Sequence, residues 1–456
     1  MLNLVSPLGI DYRKNQLESR PARTDMRILP IILQTPLEFN LLHQRKELCM
    51  DSLFVGIDWA NQHHDICIMH DDGSVFKEFR ISNDSDGFAN FDAQLKPFLK
   101  EQIFICIETN HGLLFEHLLQ FNYRLFPINP GALVDYRKTD NIAKNKNDKL
   151  DARLLANYIR KDRNRLREHK MNSKSTQILK LLTEDRQRLL KEKVRMELQL
   201  IDTLKLYFPA ALKLFSDITN QISLAFLSQY PTPEKAKKLT LKRFQSFLKK
   251  HKYTKPQRAE EIFSILQQDY PIAPEIFVQA KERFVKAIIP QILVIVQQLD
   301  DYDREIKKHY DLHPDKDIFN TLPGVGMDIG PRLLSCFGDR RDRFTHFNNI
   351  QCLAGTAPVT RESGRSRHVF FRFACNKTFR NVVDQMAFAS LQRSLWAKNY
   401  YDQLRKKGNS HHSALRNLAN KWIKIIYQLW VTRTTYDENY HLAQITKRAL
   451  AKKVAI

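Results

Sequence analysis

The pattern of apolar and polar positions divides the chain into regions with different periodicities. Between residues 53 and 161, short apolar runs typical of strands alternate with amphipathic stretches typical of helices. The predicted strands are LFVGIDW, HDICIMHD, VFKEFRIS, IFICIE and YRLFPIN, and the predicted helices cover residues 86–100, 112–120 and 148–160. Three consecutive strands followed by alternating helices and strands predict a mixed α/β sheet with an antiparallel start.

Between residues 172 and 309 the periodicity becomes helical. Apolar residues recur every seven positions, but Asp185 and Glu192 occupy the second position of the repeat that a regular coiled coil keeps apolar. The pattern therefore predicts an imperfect coiled coil or a helical hairpin, with a partner helix from residues 287–309. The basic segment 240–263 is either a solvated helix pair or a nucleic-acid contact. The apolar stripe on which this prediction rests consists of Ile178, Leu182, Leu189, Met196, Leu200 and Leu204.

These changes of pattern predict the domain boundaries. Residues 1–50 are proline-containing and aperiodic, so we expect a flexible extension, or an upstream start with Met50 as the true first residue. An α/β domain then covers residues 51–165, a helical connector residues 166–315, and a mainly helical C-terminal domain residues 316–456.

Acidic residues stand where two apolar strands end and where a predicted helix begins. Asp58 lies at the end of the first strand, and Glu108 ends the fourth. Asp148 and Asp151 are three residues apart at a helix start, so they share a helix face. Converging carboxylates repel one another unless cations lie between them, and such oxygen ligands suit Mg²⁺ or Mn²⁺. Two ions roughly 4 Å apart can cleave a phosphodiester.

Each of these acids also has a structural interpretation, because Asp58 could form a turn and Asp148 could cap a helix. Their order on these elements nevertheless favours the core of an RNase H-like nuclease. A sugar-kinase or actin-like ATPase opens with similar strands but needs a glycine-rich phosphate turn. This chain has Trp59-Ala60-Asn61 there, which argues against the ATPase.

Composition indicates a soluble protein with an anionic partner. The 456 residues include 73 Lys and Arg against 50 Asp and Glu, giving a net charge of +23, which favours nucleic acid and then a membrane surface as partner. No secretory signal or membrane-spanning run is present, and the cysteines form no C-x-x-C pair, so we expect a cytoplasmic location. The pairs His63–His64 and His411–His412 lack metal-site spacing and are predicted to be solvated or to face DNA.

The stretch LPGVGMDIGPRLL predicts a phosphate-binding turn. Gly324, Gly326 and Gly330 lead into a helix, and backbone N–H groups at such a turn bind phosphate well. The pattern is similar to the hairpin of helix–hairpin–helix DNA-binding modules.

A basic cluster follows between residues 360 and 380. Ser363 and Ser366 stand inside it, and Phe370, Phe371 and Phe373 interleave with the cations, so the cluster can bind phosphates and pack on sugars or bases. A serine beside glycine is otherwise a turn residue. The basic residues are Arg361, Arg365, Arg367, Arg372, Lys377 and Arg380.

Taken together, these stretches resemble the DEDD transposases of the insertion-sequence 110 family. The matching stretches are GIDWAN, ETNHG, NPGALVDYRKTDNIAKNKNDKLDARLLA, LPGVG, LAGTAPVTRESGRS, FACNKTFR and YYDQLRKKGNSHHSALRNLANKW. The resemblance implies an RNase H-like (RuvC-type) N-terminal domain, a helical coiled-coil connector, and a mainly helical C-terminal transposase domain with a helix–hairpin–helix-like element. It implies an acidic tetrad at Asp58, Glu108, Asp148 and Asp151, and a catalytic serine at Ser363. FACN replaces the Arg-x-Gly-Asn of many members, which leaves the subgroup open.

The resemblance implies a site-specific DNA recombinase that excises and inserts its own element with Mg²⁺ or Mn²⁺. Its expected partners are double-stranded DNA, at the element ends and the target, and a structured guide RNA. The apolar stripe predicts a homo-oligomer, either a dimer or a tetramer. Two alternatives are a structure-specific nuclease of the junction-resolvase type, which needs the acids but not the serine, and a non-catalytic nucleic-acid-binding protein.

Overall fold

The chain folds into two compact units, one ending at Lys170 and the other beginning at Met171. The computed structural model describes residues 52–140, 148–271 and 273–454, and the side chains of residues 135, 138–140, 148, 149 and 448–454 lie outside this description. The predicted extension and the alternative start at Met50 also lie outside the described residues. Within the described part, no helix is both long and apolar enough to cross a membrane.

The first unit is a five-stranded sheet with helices on both faces. Strands β1 and β2 are antiparallel, as are β2 and β3, whereas β4 and β5 run parallel to β1 in the order β3-β2-β1-β4-β5. The predicted mixed α/β sheet with an antiparallel start is therefore confirmed. The elements are β1 (Leu53–Trp59), β2 (His63–Met69), β3 (Val75–Ser82), α1 (Ser85–Leu95), β4 (Ile103–Ile107), α2 (Leu113–Gln120), β5 (Arg124–Pro127), α3 (Pro130–Asp140) and α4 (Asp148–Asp162).

One predicted helix ends earlier than expected, and one helix of the structure was not predicted. The helix predicted over residues 86–100 ends at Leu95, because Pro97 has no backbone N–H with which to continue the helical hydrogen bonds. Helix α3 was not predicted, since its sequence carries few apolar positions and opens with Pro130 and Gly131. Asn129 nevertheless starts it, by accepting a hydrogen bond from the Gly131 N–H at 2.8 Å.

Alternation along the strands supplies two hydrophobic layers. The odd-numbered residues of β1 and β4, such as Ile57 and Ile107, pack against α1 and α2. The even-numbered residues, such as Phe54 and Cys106, pack against α4. Each apolar side chain buried in this way contributes about 1.5–3 kcal/mol, which accounts for the continuous apolar runs of both strands.

Helix α4 lies unusually close to β1 at Gly56. A Cβ added to Gly56 would lie 2.0 Å from the carbonyl oxygen of Ala152 and 2.3 Å from the backbone nitrogen of Ala156. Only glycine permits this approach, so the position of α4 on the sheet depends on that residue.

The second unit is largely helical, as predicted for the remainder of the chain. Short 3₁₀ helices occur at Pro209–Lys213, Pro256–Arg258 and Arg341–Arg343. The elements are α5 (Lys174–Tyr207), α6 (Gln221–Gln229), α7 (Pro233–Lys237), α8 (Leu241–Lys250), α9 (Ala259–Gln267), α10 (Glu275–Asp311), α11 (Lys316–Asn320), α12 (Ile329–Phe337), α13 (Phe347–Leu353), β6 (Val359–Ser363), β7 (Ser366–Phe370), α14 (Lys377–Ser390), α15 (Leu395–Lys406), α16 (His411–Thr432) and α17 (Glu438–Val454).

The two long helices α5 and α10 pack against each other and join two cores. The beginning of α5 and the end of α10 contribute to a core with α11–α16, and their opposite ends contribute to a core with α6–α9. The predicted partner segment is thus confirmed as part of α10. The predicted apolar stripe is wrong at its first residue, because Ile178 is 38% exposed, whereas Leu179 and Thr183 are the buried residues at the start of α5.

We predict that Gly56→Ala destabilises the first unit by about 1–3 kcal/mol, since the added methyl group has to displace the backbone of α4. Denaturant unfolding monitored by circular dichroism measures the loss. Gly326→Ala is the matched control, because nothing lies within 4 Å of a Cβ at that position. Equal unfolding midpoints for the two variants would contradict the prediction.

Candidate active site and nucleic-acid surface

Asp58 and Glu108 lie at neighbouring strand ends. The last paired residues of the parallel strands β1 and β4 are Ile57 and Ile107, so the next residue of each strand lies beside the other. Alternation directs Asp58 to the sheet face covered by α4. Burial raises the pKa of the Cys106 thiol on that face, and the charge of Glu108, two residues further along the chain, raises it as well.

The direction of α4 brings its first turn to this strand end. Near the end of α4, the Arg160 guanidinium donates to the Asp71 carbonyl at 3.0 Å, in the turn between β2 and β3. That turn lies at the start of β1, since β2 is antiparallel to β1. Gly56 contacts the middle of α4. The first turn, with Asp151, therefore lies toward Asp58.

Asp151 is buried and ion-paired. It is 7% exposed, and its Oδ1 accepts a hydrogen bond from Nη2 of Arg137 on α3 at 2.5 Å. Asp148 belongs to the same first turn, but its side chain lies outside the described residues. Asp58, Glu108 and the first turn of α4 thus all lie toward the same end of the sheet.

A fifth carboxylate, which the sequence analysis missed, faces Asp58. Asp65 on β2 is directly opposite Asp58 and is 3% exposed. Arg80 neutralises it through two hydrogen bonds of 2.6 and 3.1 Å. Its position inside the strand HHDICIM, whose apolar residues Ile66, Cys67 and Ile68 follow one another without alternation, was the available clue to its burial.

The acidic side chains at this strand end offer only carboxylate oxygens as ligands, and these are the ligands that divalent cations such as Mg²⁺ prefer. Among the side chains described, no three His, Cys, Asp or Glu form a metal-binding group. Arg137 already occupies one oxygen of Asp151, so a cation bound by Asp151 would compete with Arg137.

Ser363 lies in the second unit, at the tip of an exposed hairpin. Gly364 has φ of +54° in the two-residue turn between β6 and β7, a conformation that glycine adopts without strain. Ser363 pairs with Ser366, whose hydroxyl donates to the Ser363 carbonyl at 3.0 Å. The hairpin was not predicted, although alternating positions around Gly364 are typical of one.

The predicted basic residues divide into an exposed group and a bracing group. Arg361, Arg365 and Arg367 lie on the exposed hairpin, and Arg367 pairs with Glu362 at 2.9 Å. Arg372 donates to the Ala357 carbonyl at 3.1 Å. These contacts leave the hairpin tip as the more accessible cationic surface.

Other arginines hold the root of the hairpin. The Arg380 guanidinium donates to the Arg372 carbonyl and lies 4.4 Å from the centre of the Phe371 ring. Arg416, which the sequence analysis missed, lies 4.3 Å from the same ring. Lys377 is exposed at the start of α14. Arg416 belongs to a stretch that the family resemblance had already included.

The glycine-rich turn between α11 and α12 has a packing role as well. Gly324 has φ of +79°, and a Cβ there would lie 2.6 Å from the backbone of Ala389 on α14. Gly326 is open to solvent, with nothing within 4 Å of an added Cβ. Gly324 is therefore required for close packing, whereas Gly326 is available to a ligand.

The prediction that both histidine pairs are solvated was wrong for His64. His64 is fully buried, and its Nδ1 accepts a hydrogen bond from the Ala60 N–H at 3.4 Å. Burial lowers the pKa of His64. His411 is half-buried and shares a 2.6 Å hydrogen bond with the Tyr401 hydroxyl.

Two family models match this chain. A DEDD transposase model of IS110 matches residues 55–209, and a model described as transposase of the IS116/IS110/IS902 family matches residues 316–402. The mini-circle putative transposase for IS117 from Streptomyces coelicolor is 31% identical over 412 residues, covering 87% of this chain and 98% of that protein. The chain belongs to the IS110 family of DEDD transposases.

Other similar proteins come from related elements. An uncharacterised 44.8 kDa protein of insertion element IS116 from Streptomyces clavuligerus is 23% identical, covering 83% of this chain and 94% of that protein. An uncharacterised 42 kDa protein of IS900 from Mycobacterium paratuberculosis is 22% identical, covering 84% and 97%. This IS110-family transposase is accordingly an enzyme that acts on DNA.

We predict that Arg137→Met lowers the free energy of unfolding by about 2 kcal/mol, because it leaves the buried Asp151 carboxylate without its cation. Denaturant unfolding measures this change, and adding Asp151→Asn should recover most of the loss.

Arg153→Met is the control on the same helix. It removes an ion pair with Glu78 in which the arginine side chain is 48% exposed, so its effect should stay below about 1 kcal/mol. Similar losses for the two arginine variants would contradict a special role for the Arg137–Asp151 pair.

Proposed function

We propose that this transposase excises and inserts an insertion sequence by cutting and rejoining DNA strands. Asp58, Glu108, Asp148 and Asp151 hold the catalytic cation, and Ser363 is the nucleophile. The observation that carries the proposal is the course of α4 across the sheet, with its acidic first turn toward the strand ends of Asp58 and Glu108.

The proposal includes the architecture that the family resemblance implies. Residues 51–165 form an RNase H-like domain, residues 166–315 a coiled-coil connector, and residues 316–456 the transposase domain with a helix–hairpin–helix-like element. The sheet order and the helices on both faces support the first assignment. The pairing of α5 with α10 supports the second. The solvent-open Gly326 before α12 supports the third as a phosphate contact.

Mg²⁺ or Mn²⁺ bound by the four carboxylates would neutralise their repulsion and polarise a phosphodiester. The protein's own part is to fix the oxygens. The strand ends hold Asp58 and Glu108, and the close approach at Gly56 holds the first turn of α4. Arg137 keeps Asp151 oriented before the cation arrives.

Ser363 attacks the scissile phosphate and forms a phosphoserine link to one DNA strand. The link retains the energy of the phosphodiester, so strands can be rejoined without ATP. Arg361 and Arg365, which are exposed on the same hairpin, hold the phosphate and offset the charge that develops in the transition state. Hydrolysis by a simple nuclease would need no such serine.

We also propose that the cytoplasmic protein works as a dimer or tetramer on double-stranded DNA and is guided by a structured RNA. The family resemblance and the net charge of +23 support both nucleic-acid partners. RNA content and mass by light scattering, measured on the purified protein, test these parts. Full recombination after RNase treatment, or a monomeric mass with DNA bound, would exclude them.

Asp58→Ala should reduce strand cleavage by about 10³-fold or more, because it removes a cation ligand. The fold should persist, since the change removes one negative charge from the acids that lie toward this strand end. Gel assays of cleavage in saturating Mg²⁺ or Mn²⁺, with and without chelator, measure the effect. Asp71→Ala, an exposed turn residue of the same unit, is the control. Cleavage by Asp58→Ala at the wild-type rate would contradict the assignment of Asp58 as a ligand of the catalytic cation.

Ser363→Ala should abolish the covalent protein–DNA adduct while leaving DNA affinity nearly unchanged. The adduct is trapped on a nicked suicide substrate and detected on a denaturing gel. Ser366→Ala is the matched control, since it removes the neighbouring hydroxyl of the same turn. Adduct formation at the normal rate by Ser363→Ala would show that the nucleophile lies elsewhere.

A further inference from the structure

The register of the β6–β7 hairpin decides which side chains share a face with Ser363. Ser363 pairs with Ser366, and Arg361 pairs with His368. Because side chains alternate between the two faces of a strand, Ser363, Arg361 and His368 lie on one face. Diagonal neighbours on such a face have Cα atoms roughly 7–8 Å apart, within reach of an imidazole directly or through one water.

The other face of the hairpin carries its acid. Glu362 pairs with Arg367 across the strands, and their charged groups are 2.9 Å apart. Alternation places both residues opposite the Ser363 face, together with Thr360 and Val369. Glu362 is therefore not the group that activates the serine.

The Phe370 ring lies close to two side chains on the same face as Ser363. The Arg361 guanidinium lies 5.5 Å from the centre of the Phe370 ring, and the His368 ring centre lies 6.1 Å from it. Phe370 thus supports a cation and an imidazole beside the serine. Arg361 cannot accept a proton because its guanidinium stays charged. Imidazole is the side chain that most often accepts and returns protons near neutral pH.

We propose that His368 is the general base that takes the proton from the Ser363 hydroxyl, an inference that rests on Ser363 being the nucleophile. Attack joins Oγ to phosphorus and breaks the bond to the bridging oxygen of the departing strand. The Oγ proton passes to the imidazole, and the departing oxygen takes a proton from water. Upon rejoining, a strand hydroxyl attacks phosphorus and gives its proton to the hydroxide left by that water. The imidazolium then returns the first proton to Oγ.

The test uses the full-length protein and the suicide substrate under single-turnover conditions. His368→Ala and His368→Gln should each slow adduct formation about 10²-fold or more, with DNA affinity by fluorescence anisotropy unchanged within about twofold. Imidazole added to the buffer should restore part of the rate of His368→Ala and none of Ser363→Ala. His309→Gln, a half-buried histidine on α10, should behave as wild type.

Three results would overturn the inference. The first is a normal rate for His368→Ala, and the second is a loss explained by weaker DNA binding and not restored by imidazole. The third is recovery of His368→Ala on a substrate with sulfur at the leaving position, which would make His368 a proton donor to the departing strand. Adducts that form without Ser363 would instead disprove the nucleophile, so the two failures are distinguishable.

Discussion

The approach of α4 to the backbone of β1 at Gly56 is the contact on which the candidate active site depends. Helix and strand touch there through backbone atoms, so their separation is set by the absence of a side chain and not by adjustable packing. From that point α4 carries Asp151 toward the end of β1, where Asp58 lies. A carboxylate site built in this way is positioned by rigid elements, which hold ligands more reproducibly than loops do.

This close packing creates an electrostatic difficulty that the protein resolves with arginines. Asp65 and Asp151 are both nearly excluded from solvent, and isolated carboxylates in such places are strongly disfavoured. Arg80 neutralises Asp65, and Arg137 neutralises Asp151. The pair on Asp151 neutralises its buried charge in the folded protein, so a cation bound at that residue would exchange one positive partner for another.

Sequence patterns predicted the parts of the structure that depend on local periodicity. The strands followed from apolar runs, and Asp58 and Glu108 could be located because strand ends are local features. The partners of Asp151 and Asp65 could not be predicted, since ion pairs across elements depend on tertiary packing. His64 was mispredicted for the same reason, because polarity suggested exposure while its place in β2 buries it. Hairpin β6–β7 escaped notice because its residues are almost all polar or exposed.

In the β6–β7 hairpin, some arginines hold the base of the hairpin in place while others remain exposed at its tip. A two-stranded ribbon with no core of its own is marginal in water, so its stability has to come from its root. Arg372 and Arg380 supply backbone hydrogen bonds there, and Arg380 and Arg416 lie over Phe371. The cations near the tip remain exposed to solvent, and the single acid, Glu362, is held on the face away from Ser363. Arginine thus performs two separable tasks within one short segment, bracing at the root and presenting positive charge at the tip. Ser363 lies at the tip, where the exposed positive charge is concentrated.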